Sequence, residues 1–537
     1  VDKKCVQRFM GIMAHKGVNL HSVLMARHGQ VFFEKYWAPF GPEQPHRMYS
    51  ITKSFMAVAI GCLLDEGKLR LTDKICDYFP DKLPPVVSPL MREQTIEDML
   101  TMRTCLVDGG WFRPEVKDRL KFYFSLTPKK PAGTIFSYDS TGSYVLGCLV
   151  ERLSGKNMLD YLREKVLDAL GGFESAQLLR TMDGTPWADS ALLCTPRALL
   201  MFAQFVMQEG CWEGKQLVSR DYMRAAVQPQ TDNCVDGGYR YDTYGYGYQI
   251  WRAFQNGFSF NGMGGQFAVC VPEKDFVFVC TADDQLTSMV DSTAIFDALF
   301  AEIVAHLDGA EPDEAVDLNA PLSLSVARGK KESAFAAAVN GVRYALDENP
   351  MGIRWLEVGW DEAGLGCLRY ENAQGEKQLP FGMGENWFGP FPQAGYSDDR
   401  GNEHLLNDFR YRCAASAGWV EERKLQLRVQ VIDRYFGLLV ITLGFRPDGM
   451  LGVCMAKCAE DFFQEYSGWA VGRRAGGETI MARGVFFQEK ESPSCALSKK
   501  AVWIRTGFYF IDNAFRIGKE TNTNLSNQCF RPSGPEG

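Results

Sequence analysis

The sequence predicts an α/β (α+β) fold, in which an antiparallel sheet with a large helical insertion is followed by a C-terminal antiparallel β-sheet or barrel domain. Three observations lead to this prediction. β-rich runs lie near both ends of the first 310 residues, helical periodicity fills the stretch between them, and a period of two dominates after residue 340. At 537 residues the chain is too long for one ordinary domain, so two or three domains are expected.

The predicted elements of the first part follow one another in a layered order. Two apolar runs at 22–37 flank His28-Gly29-Gln30, which is a hairpin signal. Helical patterns then lie at 51–66, 95–103, 142–154, 157–170 and 195–208, and strands return at 246–252, 257–261 and 266–283 before a last helix at 292–307. A strand pair, helices, strands and a helix in this order are typical of an α/β unit with a helical insertion.

Composition and periodicity give the expected domain boundaries, with a first domain at 1–310. Residues 311–339 turn acidic and then rich in Ala, Ser and Lys, which indicates a linker. From 340 to 472 the apolar residues alternate, as in "LQLRVQV", which is typical of half-buried antiparallel strands and predicts a small β-barrel-like domain. Residues 473–537 carry ten Lys/Arg and six Asp/Glu, and this basic tail lacks periodicity near its end, so disorder is expected there.

Composition also argues against several classes of function. The formal net charge of -8 predicts no broad basic surface for nucleic acid. The longest apolar runs, such as "FMAVAIGCLL", are about ten residues, too short to span a bilayer. No leader pattern opens the chain, so nothing marks it for export. The sixteen cysteines lack the regular spacings of a disulfide-bonded protein, so we expect buried thiols and a cytoplasmic location. The six histidines form no ligand pattern with them, so neither a metal nor a cofactor is predicted.

The first chemical motif lies in "RMYSITKSFMAVAIGCLL", residues 47–64. If a helix starts at or just after Ser50, Lys53 shares its face, and the amine can reach the serine hydroxyl. A serine becomes a nucleophile when a base takes its proton, and a lysine in apolar surroundings can be that base. Ser-x-x-Lys is also expected about once or twice by chance in a chain of this length. A helix cap at Ser50 with a surface lysine is therefore the alternative.

Two further motifs lie downstream. "PAGTIFSYDSTGSYVLG" sets Tyr138 and Ser140 on a loop before a helix, where a phenol near a lysine can relay its proton. "FNGMGGQFAVCV" has Gly262, Gly264 and Gly265 at the entry to a strand, and glycines let a substrate carbonyl approach a backbone N–H closely. A packed aromatic and a simple turn are the respective alternatives.

In this order, Ser-x-x-Lys, Tyr-x-Ser and a Gly-rich strand resemble the serine hydrolases of the β-lactamase and penicillin-binding-protein family, in particular the branch with class C β-lactamases, esterases and D-aminopeptidases. The likeness extends beyond the motifs to longer stretches of sequence, such as "YSITKSFMAVAIGCLLDEGKLRLTDKI", "TIEDMLTMRT" and "VPEKDFVFVCTAD". It covers about 20–305 and is most specific over 48–80 and 131–170.

The resemblance implies a β-lactamase/transpeptidase-like sheet and a small-molecule ester or amide as substrate. It implies that Ser50 is acylated, that Lys53 is its base and that Tyr138 is the second proton-transfer group. The backbone N–H groups of Ser50 and Gln266 would form the oxyanion hole. The expected function is therefore cleavage of an ester or amide bond through an acyl-enzyme.

Two departures from the family pattern concern the substrate-binding positions. The second motif usually reads Tyr-x-Asn, whereas here Ser140 can still hydrogen-bond Lys53 but brings no amide. The third motif usually has Lys or His, a small residue and Gly, whereas here it is Met263-Gly264-Gly265. The nucleophile machinery is thus intact, and an esterase-like, amidase-like or peptidase-like enzyme is expected rather than a true β-lactamase.

Other mechanisms fit the sequence less well. A Ser-His-Asp hydrolase needs a histidine late in the catalytic unit, and none lies between His46 and His306. No Gly-x-Ser-x-Gly elbow occurs either. The alternative to an enzyme is a catalytically idle binding or sensor protein on the same fold, because a fold does not determine a function.

Overall fold

The structure, a computed structural model, describes residues 3–107, 116–181, 183–234, 243–284, 288–308, 323–393, 410–458 and 464–475. Of the predicted linker, 311–322 lies outside the described residues, and so does the predicted tail beyond Ala475. The domain boundaries therefore stay a prediction.

The helices and strands are numbered along the chain. The helices are α1 (Lys3–Lys16), α2 (Thr52–Asp65), α3 (Ile75–Tyr78), α4 (Pro89–Arg92), α5 (Ile96–Leu100), α6 (Arg119–Ser125), α7 (Ser140–Ser154), α8 (Met158–Leu162), α9 (Asp168–Leu170), α10 (Pro196–Met207), α11 (Arg220–Val227), α12 (Ser288–Ala298) and α13 (Ala336–Val339). The strands of the first part are β1 (Leu20–Arg27), β2 (Gln30–Tyr36), β3 (His46–Arg47), β4 (Gln177–Leu178), β5 (Leu192–Cys194), β6 (Cys211–Trp212), β7 (Lys215–Gln216), β8 (Trp251–Arg252), β9 (Phe258–Gly262), β10 (Gln266–Val271) and β11 (Phe276–Ala282). The strands of the second part are β12 (Val342–Leu346), β13 (Trp355–Trp360), β14 (Gly366–Asn372), β15 (Gly375–Met383), β16 (Trp387–Pro390), β17 (Arg412–Glu421), β18 (Lys424–Ile432), β19 (Phe436–Phe445), β20 (Met450–Cys458) and β21 (Gly468–Arg474).

A six-stranded antiparallel sheet in the order β2-β1-β11-β10-β9-β8 forms the centre of the first part. The predicted hairpin at 22–37 is confirmed, and its turn residues His28 and Gly29 have φ of 52° and 73°. Positive φ at both central residues gives the tight turn that matches the twist of two strands. The strand predicted at 246–252 is present only as the two residues of β8, because Tyr246 forms an isolated bridge with Thr231 and the Gly247 N–H donates to the Ile250 carbonyl oxygen within a turn.

Helices cover both faces of this sheet. On one face α1 and α12 pack against the strands, with the Phe9 ring 5.7 Å from that of Phe278. On the other face lie α10 and the helical insertion, where nearly every side chain of α2 is buried. The helix α1 is absent from the sequence prediction. Its buried residues nevertheless repeat at helical spacing and are Cys5, Val6, Phe9, Met10 and Met13.

The second part is a closed β-barrel, one of the two forms, sheet or barrel, that the sequence predicted. Its strands follow the order β15-β14-β13-β12-β21-β20-β19-β18-β17-β16, and a parallel pairing of β15 with β17 closes the ring. In β18 the alternating side chains of Leu425, Leu427, Val429 and Val431 are fully buried. The described part of the expected linker is not a free spacer, since Ser323 bridges to Ala38 of the first part and Lys330 bridges to Trp419 of the barrel.

The cysteines of the described residues are free thiols, and most of them are buried, as predicted. Burial raises the pKa of Cys62 and Cys413 to about 12. Within the same residues, no cluster of three or more His, Cys, Asp or Glu side chains could hold a metal ion. None of the described helices combines the length and apolar character that crossing a bilayer requires.

Candidate active site

Ser50 and Lys53 lie together where α2 begins. Ser50 sits in a 3₁₀ turn, Tyr49–Ile51, that runs directly into this helix. The Lys53 Nζ is 2.9 Å from the Ser50 Oγ, and the lysine is only 1% exposed. Met48 and Ile51, rather than Ser50, occupy the cap positions of the turn and the helix. The structure therefore supports neither a helix cap at Ser50 nor a surface position for Lys53.

Asp189 is a second partner of Lys53. The ammonium donates a hydrogen bond of 2.8 Å to the Asp189 carbonyl oxygen and lies 4.0 Å from its Oδ2. Both side chains are 1% exposed, so the carboxylate offsets the cost of removing the ammonium from water. Asp189 shortly precedes β5, which pairs with β3 just before the 3₁₀ turn that carries Ser50.

Tyr138 lies beside Lys53 on the loop before α7. Its ring centroid is 5.1 Å from the Lys53 Nζ, which is a cation–π contact. The ring stacks on Trp251 at 5.6 Å, and 37% of the residue is exposed. The phenol hydroxyl makes no hydrogen bond to Ser50 or Lys53, both of which the structure describes. Catalytic hydrogen bonds are often long before substrate binds, so this geometry is compatible with a proton-transfer role.

Asp139 fixes the loop between the two residues of the second motif. Its carboxylate accepts hydrogen bonds from the backbone N–H groups of Thr141 and Gly142 at 3.0 and 3.1 Å, and from the Thr104 hydroxyl at 2.8 Å. It therefore caps α7, which begins at Ser140, two residues earlier than predicted. Ser140 is thus the first helical residue instead of a loop residue, and it does not accept a hydrogen bond from the lysine of the first motif.

The third motif forms the hairpin turn between β9 and β10. Gly264 and Gly265 have φ of 82° and 90°, a conformation that favours glycine. The side-chain amide of Gln266 donates to the carbonyl oxygens of Met263 and Ala282 at 2.9 and 2.7 Å, which holds the turn against β11. The Gln266 side chain therefore has a structural role, and its backbone N–H is the group that the family resemblance assigns to the oxyanion hole.

Gly262, the last residue of β9, brings this hairpin against the turn that carries Ser50. A Cβ atom added at Gly262 would lie 2.3 Å from the Met48 carbonyl oxygen, far inside van der Waals contact. Met48 is two residues before Ser50. The absence of a side chain at this position therefore lets the third motif reach the first, so the fold brings all three motifs to one place.

Gln249 links the helices that carry the first two motifs, and sequence reasoning missed it. Its carbonyl oxygen accepts a hydrogen bond of 2.9 Å from Ser54 in α2, and its Oε1 accepts one of 2.6 Å from Ser143 in α7. Its amide nitrogen donates to the carbonyl oxygens of Met99 and Leu100. A glutamine in a Tyr-rich loop carries no catalytic signal in the sequence, so only the structure reveals this connection.

Two buried histidines, His21 and His46, lie near the turn that carries Ser50. His21 Nδ1 is 2.8 Å from His46 Nε2, and His46 Nδ1 is 3.0 Å from the Arg47 carbonyl oxygen. Because a carbonyl only accepts, His46 carries its proton on Nδ1 and receives the hydrogen bond of His21 on Nε2. Burial lowers the pKa of His46 to about 4 and that of His21 well below its ordinary value. Both rings are therefore neutral, structural groups near pH 7.

Comparison with known proteins gives matches over the part that contains this site. Residues 4–302 match the family model described as Beta-lactamase. A 6-aminohexanoate-dimer hydrolase from Paenarthrobacter ureafaciens is 24% identical over 219 residues, which cover 38% of this chain and 56% of that protein. Penicillin-binding protein 4 from Amycolatopsis lactamdurans is 24% identical over 302 residues, which cover 49% of this chain and 77% of that protein.

Solved structures give similar matches. The octameric penicillin-binding protein homologue from Pyrococcus abyssi is 18% identical with a TM-score of 0.46, and the match covers 88% of this chain and 100% of that one.

The family match includes the whole six-stranded sheet and all three motifs. This chain spans just over half the length of the 6-aminohexanoate-dimer hydrolase that it matches. The resemblance inferred from the three motifs is confirmed, because the family model covers more than half of the chain. The chain belongs to the Beta-lactamase family.

Proposed function

We propose that the protein is a serine hydrolase that cleaves small esters or amides through an acyl-enzyme on Ser50. The observation that carries this proposal is the 2.9 Å separation of the Lys53 Nζ and the Ser50 Oγ in a buried setting. In its ammonium form the lysine donates to the hydroxyl. In its neutral form the same distance lets the serine O–H donate to Nζ, which is the geometry of a general base.

The proposed reaction has two halves. In acylation the Ser50 Oγ bonds to the substrate carbonyl carbon while its proton moves to Lys53, and the carbonyl oxygen becomes an oxyanion held by the N–H groups of Ser50 and Gln266. The tetrahedral intermediate then expels the alcohol or amine, which receives the proton by way of Tyr138. In the second half a water molecule attacks the acyl-serine with the same groups in reverse order, which releases the acid and restores the serine.

The third motif supports uncharged substrates. Enzymes that act on β-lactams hold a substrate carboxylate, and at the expected position Met263 offers a thioether that is 42% exposed. An arginine from elsewhere is the alternative source of positive charge. Arg428 of β18 is such a candidate, since it interacts electrostatically with Asp283 and with Asp284, whose backbone N–H donates to the Gly264 carbonyl oxygen. These two carboxylates compete with a substrate carboxylate for its charge. A desolvated carboxylate without a partner costs several kcal/mol, on the order of the measured penalties for buried charges.

Labelling with a fluorophosphonate is expected to place one adduct on the peptide that contains Ser50. The serine is the group whose proton has a base within hydrogen-bond distance. Peptide mass mapping locates the adduct, and the Ser50→Ala variant is expected to lose both the label and the burst of p-nitrophenol from a p-nitrophenyl ester. Ser125→Ala, which removes an exposed hydroxyl of α6, is the matched control. An adduct at another residue, or a full burst from Ser50→Ala, contradicts the proposal and points to another nucleophile. An unaltered protein that gives neither an adduct nor a burst points to an idle binding protein.

Turnover of nitrocefin is expected to be poor beside that of p-nitrophenyl butyrate. The reason is the missing positive charge at Met263, and the measurement is the ratio of kcat/KM for the two substrates. Met263→Lys is expected to shift this ratio toward nitrocefin by about tenfold or more, the scale of one charge-assisted hydrogen bond. Met263→Leu keeps an apolar side chain and is the control. Efficient nitrocefin hydrolysis by the unaltered protein would make the esterase-like assignment wrong.

A further inference from the structure

The residue before the nucleophile has an unusual backbone conformation. Tyr49 has φ of 47°, in the left-handed region that disfavours residues with a Cβ atom. Such a conformation persists when the surroundings hold it, and it is common beside functional groups. The direction of the next residue's side chain and N–H depends on it, so whatever holds Tyr49 also orients Ser50.

The barrel supplies one of the contacts that hold Tyr49. The tyrosine is 1% exposed, and its hydroxyl accepts a hydrogen bond of 3.1 Å from the backbone N–H of Phe436, the first residue of β19. This bond joins the nucleophile turn to the end of the turn between β18 and β19. Residues 433–435 of that connection are called the 433–435 turn below.

Arg47 joins the same two regions. Its guanidinium is fully buried and donates to the Arg434 carbonyl oxygen at 3.3 Å. The guanidinium carbon lies 4.4 Å from the ring centroid of Tyr435 and 4.9 Å from that of Tyr49. A desolvated guanidinium over aromatic faces is strongly attracted to them. Arg47 therefore packs between the barrel turn and the residue whose backbone orients the nucleophile.

The same arginine also contacts the segment that holds the base. Its Nε donates to the Ser190 carbonyl oxygen at 3.1 Å, and its guanidinium carbon is 4.8 Å from the Trp187 ring. Between these two residues lies Asp189, whose carbonyl oxygen accepts the hydrogen bond of Lys53. The buried guanidinium of Arg47 thus contacts Tyr49, the residue before Ser50, and also the segment 187–190, which accepts the hydrogen bond of Lys53.

A second barrel contact lies near the third motif. Gln430 of β18 accepts a hydrogen bond of 2.8 Å from the side-chain amide of Asn19. The backbone N–H of Asn19 donates to the Asp284 carboxylate at 2.7 Å, and the backbone N–H of Asp284 donates to the Gly264 carbonyl oxygen at 3.1 Å. The barrel is therefore connected to the oxyanion-hole hairpin as well as to the nucleophile turn.

We propose that the 433–435 turn of the barrel is a positioning element of the active site, which holds Ser50 and Lys53 in their reactive geometry through Arg47. This inference rests on the proposed acyl-enzyme mechanism. It assigns Arg47, Tyr49 and Tyr435 as positioning residues that act through the catalytic pair rather than on the substrate. A purely structural domain interface is the competing explanation, and the two differ in what they predict for the folded, competent enzyme.

The test uses full-length Tyr435→Leu, which removes the aromatic face that the barrel presents to Arg47. Titration with a fluorophosphonate gives the fraction of molecules whose active site can be acylated, which are called competent sites. The acylation rate constant per competent site and KM are then measured with p-nitrophenyl butyrate. The rate constant is expected to fall about tenfold or more, since small misplacements of reacting groups have effects of this size, while KM changes less than about twofold. Tyr435→Phe keeps the ring and is expected to restore most of the rate.

Tyr344→Leu is the matched control, because it removes a buried tyrosine ring of the same barrel that packs on Phe445 rather than on Arg47. It is expected to lower the melting temperature and leave the rate per competent site unchanged. If Tyr435→Leu does not fold, Tyr49→Phe serves as the test variant. It removes the hydroxyl that accepts the hydrogen bond of the Phe436 N–H, and the acylation rate per competent site is expected to fall about threefold to tenfold, the value of one hydrogen bond.

Unchanged rates per competent site in folded Tyr435→Leu or in Tyr49→Phe, together with normal labelling of Ser50, overturn this inference and leave the proposed function standing. A wild-type protein that gives no adduct at Ser50 overturns the proposed function, and this inference fails with it.

Discussion

Replacing Lys53 with arginine is expected to lower kcat/KM at least about 100-fold, the lower end for the loss of a general base. Arginine keeps the positive charge but cannot give up its proton near neutral pH, so it can hold a hydrogen bond to Ser50 without accepting the serine proton. The site makes this substitution informative, because the lysine is buried and its two hydrogen bonds go to Ser50 and the Asp189 carbonyl oxygen. The measurement is kcat/KM for p-nitrophenyl butyrate with the competent fraction counted by titration.

A second substitution separates charge from proton transfer at the same position. Lys53→Met removes both, together with the buried ammonium that lies 4.0 Å from the Asp189 carboxylate, so it is expected to lose activity and also stability, by about 3 kcal/mol or more. Lys156→Arg, at an exposed ion pair with Glu164, is the control for the exchange itself. A near-normal rate in a folded Lys53→Arg protein would mean that Lys53 is a structural cation and that another group accepts the serine proton.

The parts of the site that sequence could predict are those whose partners lie close together in the chain. Ser50 and Lys53 are three residues apart at the start of an apolar helical pattern, so helical geometry alone predicts their contact. The two-residue turn at His28-Gly29 is local in the same sense. Tyr138 and the third-motif hairpin required the resemblance to a family, because no spacing rule connects them with Ser50.

The partners that sequence reasoning missed are distant in the chain. Asp189 is 136 residues from Lys53, Gln249 is 195 residues from Ser54, and Phe436 is 387 residues from Tyr49. Each of these contacts uses a backbone carbonyl, a backbone N–H or a buried hydroxyl, groups that leave no pattern in the sequence. Asp139 differs, since an aspartate before Ser-Thr-Gly is a recognisable N-cap signal and could have given the start of α7 correctly.

The barrel likewise has features that neighbouring residues predict and a closing contact between strands that are distant in the chain. Alternating residues predicted antiparallel strands, and the buried side of β18 follows that alternation. The parallel pairing of Gly382 with Ser416 and of Met383 with Ala417 closes the ring, and no local period encodes it. Gln430 lies on the opposite face of β18, where the alternation predicts exposure to solvent. It is instead buried against Asn19 and forms part of the contact with the first part of the chain.

Replacing Gly262 with alanine is expected to reduce both stability and the rate of acylation. The added Cβ atom would lie 2.3 Å from the Met48 carbonyl oxygen, which is backbone and cannot rotate away. The hairpin and the turn that carries Ser50 must therefore separate, at a cost of about 1–3 kcal/mol for overpacking. If the proposed oxyanion hole is correct, a displacement of about 1 Å between β10 and Ser50 is expected to lower the acylation rate about 100-fold. Urea unfolding gives the first quantity, and the burst rate per competent site gives the second.

The matched control for this substitution is Gly444→Ala on the barrel strand β19. A Cβ atom there meets nothing within 4 Å, so the change in stability is expected to stay within about 0.5 kcal/mol and the rate to stay normal. If Gly262→Ala loses stability but keeps its acylation rate, the hairpin does not need its contact with Met48 to form the oxyanion hole. If it loses neither, the close approach of the two motifs is wrong. A loss of rate that exceeds the loss of folded protein supports a catalytic reason for glycine at this position, because packing alone would lower only the folded fraction.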